Sequence, residues 1–228
     1  MADRLWWIDA LRGAGVVMMI AYHLLWDLSF LGLWSGDASA GWPRVLAIAT
    51  GTVFLGTVGL SLASYRSNGG KPPWARSARL LLIAIAITLV TALLFPAQAI
   101  LFGVLHCIAL SVLLVFPLAT RPILATAAGA LIVAAGALLA AGGLSFPVLG
   151  PLPPGMSSLD HYPMLPWAGV AALGAAAGAA LLRSRAVRSP QPRWARPLSA
   201  AGRRSLIIYL VHQPLLLILL YPISVMAD

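Results

Sequence analysis

The chain has 228 residues, of which 61% are hydrophobic and only 9% charged, with a mean hydropathy of +0.92. A water-soluble domain of this length would carry about a quarter of its residues as charges, so the composition excludes one and makes lipid the solvent. The formal net charge of +9 would suit a nucleic-acid binder, but the arginines sit between apolar runs, and no nucleic-acid partner is expected.

The N-terminal "MADRLWWIDALRG" lacks the basic start of a cleaved signal peptide, so the first apolar run is expected to be retained. Runs of about 20 apolar residues predict seven membrane-spanning helices, at about 13–34, 43–64, 78–95, 98–118, 122–142, 163–182 and 204–223. Between them lie polar, turn-rich stretches such as "SGDASAGWP", "RSNGGKPPWARS" and "RSRAVRSPQPRWARP". With the N-terminus cytoplasmic, every one of the 15 Lys and Arg residues except Arg44 falls on the cytoplasmic side. The expectation is an all-α integral membrane protein, a bundle of about seven helices forming one domain over residues 1–228, N-terminus in and C-terminus out. A single cysteine, Cys107, leaves no intrachain disulfide and no thiolate metal cluster to build. Small residues, including the Gly174/Gly178 pair, permit close helix packing within the chain or a self-association face, which leaves a homo-oligomer open.

Ionisable groups in a span cost a few kcal/mol on insertion scales, so each is a candidate functional residue. In the first span Arg12 and His23 are eleven positions apart, on one helical stripe and roughly 16 Å apart along the axis, and Asp27 continues that stripe. Arginine at a helix start attracts phosphate, and it also satisfies the positive-inside bias. An aspartate four residues from a histidine fixes its tautomer, as a general base requires, or the two form a structural hydrogen-bonded pair. His106 lies in the fourth predicted span, and Asp160 and His161 in the outer loop before the sixth. In the last span Ser205, Tyr209, His212 and Gln213 form a polar stripe that faces protein or water, with interhelical hydrogen bonding as the alternative role. No metal site is expected, because no ligand-spacing motif accompanies the histidines.

The segments "WIDALRGAGVVMMIAYHLLWDL", "FGVLHCIAL", "DHYPMLPWAGV" and "GRRSLIIYLVHQPLL" follow one another in that order from Trp7 to Leu216, so the resemblance they carry extends over nearly the whole chain. Together they resemble the bacterial membrane proteins grouped with the heparan-alpha-glucosaminide N-acetyltransferase catalytic domain, within the wider class of transmembrane acyltransferases. The resemblance implies a multi-pass protein of the bacterial inner membrane. It would move an acyl group, typically acetyl, from cytoplasmic acetyl-CoA or another acyl-CoA to a hydroxyl or amine of a sugar-type or lipid-linked acceptor on the far side. His23 with Asp27 would be catalytic, and Arg12, Arg203 and Arg204 would hold the CoA phosphates. His106, Tyr209, His212, Gln213, Asp160 and His161 would line the pocket as oxyanion or acceptor contacts. The first span departs from the eukaryotic pattern at "AYHLLWD", so heparan sulfate is not the expected acceptor. Two other functions use the same residues differently: a proton-coupled small-molecule transporter, and a non-catalytic membrane scaffold.

Overall fold

A computed structural model describes residues 5–182 and 189–227. The described chain is helical throughout, with no strand among the described residues: α1 (Trp6–Phe30), α2 (Gly41–Ser67), α3 (Trp74–Leu94), α4 (Val104–Val115), α5 (Pro122–Ala141), α6 (Met164–Leu181), α7 (Ala195–Arg203) and α8 (Ser205–Ala227), with 3-10 turns at Pro96–Gln98 and Phe116–Leu118. Six of these, α1, α2, α3, α5, α6 and α8, are long and apolar enough to cross a membrane. Their outer faces carry bare hydrocarbon, such as Leu82, Leu89 and Leu93 on α3 and Ile207, Ile218 and Leu219 on α8. In water such faces would be an aggregation liability, and in lipid they are matched to the solvent. The protein is an all-α integral membrane protein.

Two expectations are corrected. The fourth predicted span is not one long helix: α4 and its following 3-10 turn cover only Val104–Leu118, about 22 Å of rise against a hydrocarbon core of about 30 Å. Residues 99–103 stay irregular because their backbone groups are claimed from outside the helix. The Thr88 hydroxyl donates to the Ile100 carbonyl, the Ile100 N–H donates to Thr91, and the Tyr162 N–H donates to the Phe102 carbonyl. The second correction is α7, which falls partly in the stretch expected to be a polar linker. Its nine residues are too few and too polar to register as a span. Pro197 is tolerated there because it sits in the first turn, where the backbone N–H has no intrahelical partner.

The chain packs as two compact units, residues 1–54 with 188–228 and residues 55–187, with α2 running through both. In the first unit α1 and α7 meet backbone to backbone. A β-carbon on Gly13 would run into the Leu198 carbonyl, and one on Gly202 into the Asp9 carbonyl. Buried Ser199 finishes this joint: its hydroxyl donates to the Trp6 carbonyl at 3.1 Å and accepts from Gln191 Nε2 at 2.9 Å.

In the second unit the C-terminal part of α2 lies against α6. Gly59 abuts the Ala171 carbonyl, Gly174 abuts the Gly56 carbonyl and Gly178 sits on Leu60 and Ala63. The Gly174/Gly178 pair therefore serves packing within the chain. On its other side α6 meets α5 through Gly129 and Gly169, and α3 is tied to α4 by the buried Ser77 hydroxyl donating to the Ala109 carbonyl at 2.5 Å.

These contacts make a stability prediction. Gly202→Ala puts a methyl group onto immovable backbone and is expected to cost about 1–3 kcal/mol, read as a lower midpoint of thermal unfolding in detergent. Gly56→Ala, whose new methyl group meets nothing within 4 Å, is expected to leave that midpoint unchanged or slightly raised.

Candidate functional site

In the first unit, α1 and α8 bring four of the expected residues into two interhelical contacts. His23 Nδ1 lies 2.9 Å from the Met19 carbonyl oxygen and 3.2 Å from Nε2 of His212. The two imidazoles meet edge to face, their centroids 4.8 Å apart. His212 is itself buried, with Nδ1 2.7 Å from the Tyr209 carbonyl and 3.2 Å from that of Ile208. The Tyr209 ring stands beside it, at a centroid distance of 5.9 Å.

Asp27, one turn beyond His23, does not orient it. Gln213 Nε2 donates to Asp27 Oδ1 at 2.6 Å, and that is the partner this fully buried carboxyl group has. Asp27 Oδ2 and Gln213 Oε1 are both buried without a partner. The site thus holds two orphaned oxygens, one turn from the histidine pair. An oxygen in that position accepts hydrogen bonds, so the site is matched to a group that brings O–H or N–H donors. The sequence supplied each residue of this cluster, but not the partner choice: spacing along α1 favours His23 with Asp27, whereas pairing across to the adjacent His212 and Gln213 of α8 is a tertiary event. The one signal for it was the polar stripe on α8.

At the start of α1, Arg12 Nη1 is 3.2 Å from Oδ1 of buried Asp9. Arg203 and Arg204, at the α7–α8 junction, are exposed. Gly202 immediately before them packs on the Asp9 carbonyl and the Gly13 amide, so all three arginines gather at one end of α1. The eleven residues from Arg12 to His23 then set a helical rise of about 16 Å between this basic end and the histidine pair.

The second unit holds the remaining expected residues, and there each has a structural task. Asp160 Oδ2 accepts the Val104 N–H at 2.9 Å and so caps α4. His106 Nδ1 accepts the Gly103 N–H at 3.3 Å across the same helix start. His161 Nε2 donates to the Gly150 carbonyl at 3.0 Å, pinning the loop that precedes α6. Burial pushes His161 below the usual imidazole range, with the Gly150 contact working the other way. Nearby, residues 96–101 and 153–157 frame an open cavity of about 410 Å³ whose lining includes Pro96, Leu101, Met156 and Ser157.

Helices that cross lipid, with a polar cluster inside and a basic end, define a multi-pass membrane protein with an intramembrane polar site. The family model for heparan-alpha-glucosaminide N-acetyltransferase, catalytic, matches residues 4–214, and the chain belongs to that family. Membership implies a transmembrane acyltransferase. No curated protein and no solved structure matches the chain.

The capping role of Asp160 is testable. Asp160→Ala is expected to cost about 1 kcal/mol, the usual loss for a helix cap, measured by thermal unfolding in detergent. Asp160→Asn, which keeps an acceptor oxygen, is expected to retain most of that stability.

Proposed function

We propose that this protein transfers an acyl group, typically acetyl, from cytoplasmic acyl-CoA to a hydroxyl or amine of a sugar-type or lipid-linked acceptor on the opposite face of a bacterial inner membrane. The observation that carries the proposal is the line formed by α1: three arginines at one end, and about 16 Å along the helix a histidine pair flanked by orphaned acceptor oxygens. Arg12, Arg203 and Arg204 hold the phosphates of CoA at the membrane surface, where the positive-inside rule places basic residues. The extended pantetheine arm follows α1 inward and delivers the thioester to His23.

There the acceptor oxygen or nitrogen attacks the thioester carbonyl carbon while His23 takes its proton. The carbon–sulfur bond breaks, and the departing CoA thiolate takes that proton from His23. The products are the acylated acceptor and free CoA, with nothing else consumed. Asp27 Oδ2 and Gln213 Oε1 accept hydrogen bonds from the donors of the acceptor, which sugars carry in abundance. Tyr209, whose ring stands beside His212, is a further contact of this site. The orientation, N-terminus cytoplasmic and C-terminus outside, requires residues 98–118 to cross the membrane as an irregular segment followed by α4. Filled backbone hydrogen bonds along that segment support such a crossing, because irregular backbone is tolerated at depth only where its polar groups are paired.

The test is calorimetric binding of acetyl-CoA to the full chain in nanodiscs. Wild type is expected to bind saturably, and the double variant Arg203→Ala/Arg204→Ala to bind at least about tenfold more weakly, two lost charge-assisted contacts being ample for that. This double variant is cleaner than Arg12→Ala, which also strips Asp9 of its ion pair. His23→Ala is expected to bind acetyl-CoA normally and to lose about 10²–10⁴-fold in transfer rate. A folded wild type that binds no acyl-CoA overturns the proposal.

A further inference from the structure

The hydrogen-bond geometry at the α1–α8 contact fixes more than the proximity of two histidines. A carbonyl oxygen only accepts, so an imidazole nitrogen facing one must carry the hydrogen. His23 Nδ1 faces the Met19 carbonyl at 2.9 Å, and His212 Nδ1 faces the Tyr209 and Ile208 carbonyls at 2.7 and 3.2 Å. Both Nδ1 atoms are therefore protonated, and His212 Nε2 is left with its lone pair. That lone pair points at His23 Nδ1, 3.2 Å away. One assignment satisfies all four contacts, with the His23 Nδ1–H shared between Met19 and His212. The opposite tautomer at His23 would leave its Nδ1 lone pair facing the lone pairs of Met19.

We propose that the Met19 carbonyl fixes His23 in the Nδ1–H tautomer and that His212 is a positioning residue that shares this hydrogen and holds the ring, leaving Nε2 of His23 as the atom that takes and returns the proton in acyl transfer. This rests on the acyl-transfer function proposed above. Free imidazole offers no such selection, and the catalytic logic of a base held by a partner on its other nitrogen requires one. When Nε2 takes the acceptor's proton, the imidazolium keeps its Nδ1–H in place, and the contact to His212 becomes charge-assisted. The backbone carbonyls that orient each ring belong to its own helix, Met19 in α1 and Tyr209 and Ile208 in α8, so the arrangement is built into the two helices and needs no acid. That accounts for Asp27 being free to pair with Gln213.

The test uses the full chain in nanodiscs with ¹⁵N-labelled histidine. Its four histidines give four pairs of ring-nitrogen signals, and His23→Gln assigns the pair of interest. Above neutral pH the wild type is expected to show His23 protonated at Nδ1 and bare at Nε2. His212→Leu is expected to leave His23 protonated at Nδ1, held by the Met19 carbonyl, and to lower kcat about tenfold or more through loss of the charge-assisted contact, with KM for acetyl-CoA within about twofold because the basic end is untouched. His212→Gln places an amide oxygen where Nε2 lies, and is expected to restore most of the rate. A wild-type His23 protonated at Nε2, or a folded His212→Leu with the wild-type kcat, overturns the proposal, and the wild-type spectrum decides even if His212→Leu fails to fold. A locked tautomer in a protein that neither binds nor transfers an acyl group would instead overturn the acyl-transfer function and leave the lock standing.

Discussion

A polar group in hydrocarbon has no water to fall back on, and leaving it unpaired costs several kcal/mol. Nearly every polar side chain in this protein is arranged around that constraint. Thr50, Thr52 and Ser61 return their hydroxyls to the carbonyl four residues earlier in their own helix. Ser77 and Ser199 spend theirs on a neighbouring helix. Against this background four buried polar atoms are exceptions among the described residues, Trp7 Nε1, His161 Nδ1, Asp27 Oδ2 and Gln213 Oε1, and the last two occur beside the touching pair His23 and His212.

Packing obeys a second rule set by the solvent. Leucine gains little by leaving lipid for protein, so close approach depends on dispersion between backbones, and that depends on small side chains. The contacts of α1 with α7 and of α2 with α6 are made where a β-carbon would strike a carbonyl. In the first unit this has a functional corollary: the close contact of Gly202 with the start of α1 is what brings Arg203 and Arg204 to the end where Arg12 lies.

How much of this the sequence carried follows from the range of each signal. Six long helices were readable because a run of about 20 apolar residues is a local signature of a span. The start of α1 was placed late, since Trp6, Asp9 and Arg12 look like a polar flank until Asp9 and Arg12 are seen paired with each other. Within 98–118 the apolar composition was right and the geometry was not, because Thr88, Thr91 and Tyr162 capture backbone groups that a continuous helix would have used. Helix α7 went unseen because its helicity is stabilised by packing on α1, which composition does not reveal. At the site, the identities of His23, Asp27, His212 and Gln213 were legible as costly polar residues in apolar runs. Their pairing was not, since the nearer partner in sequence lost to one on another helix.

The glycine contacts also bear on how the chain is made. The face of α2 that carries Gly56 and Gly59 is complemented by α6, whose Ala171 lies about 110 residues later, so at ordinary synthesis rates of about 5–20 residues per second it stands without its mate for roughly 5–20 s. The wait for α1 is longer still, since α7 comes near the end of the chain. The close backbone joint of α1 is therefore among the last to form, and a ribosome stalled before α7 would leave a membrane-inserted chain whose basic end and histidine pair had never been assembled.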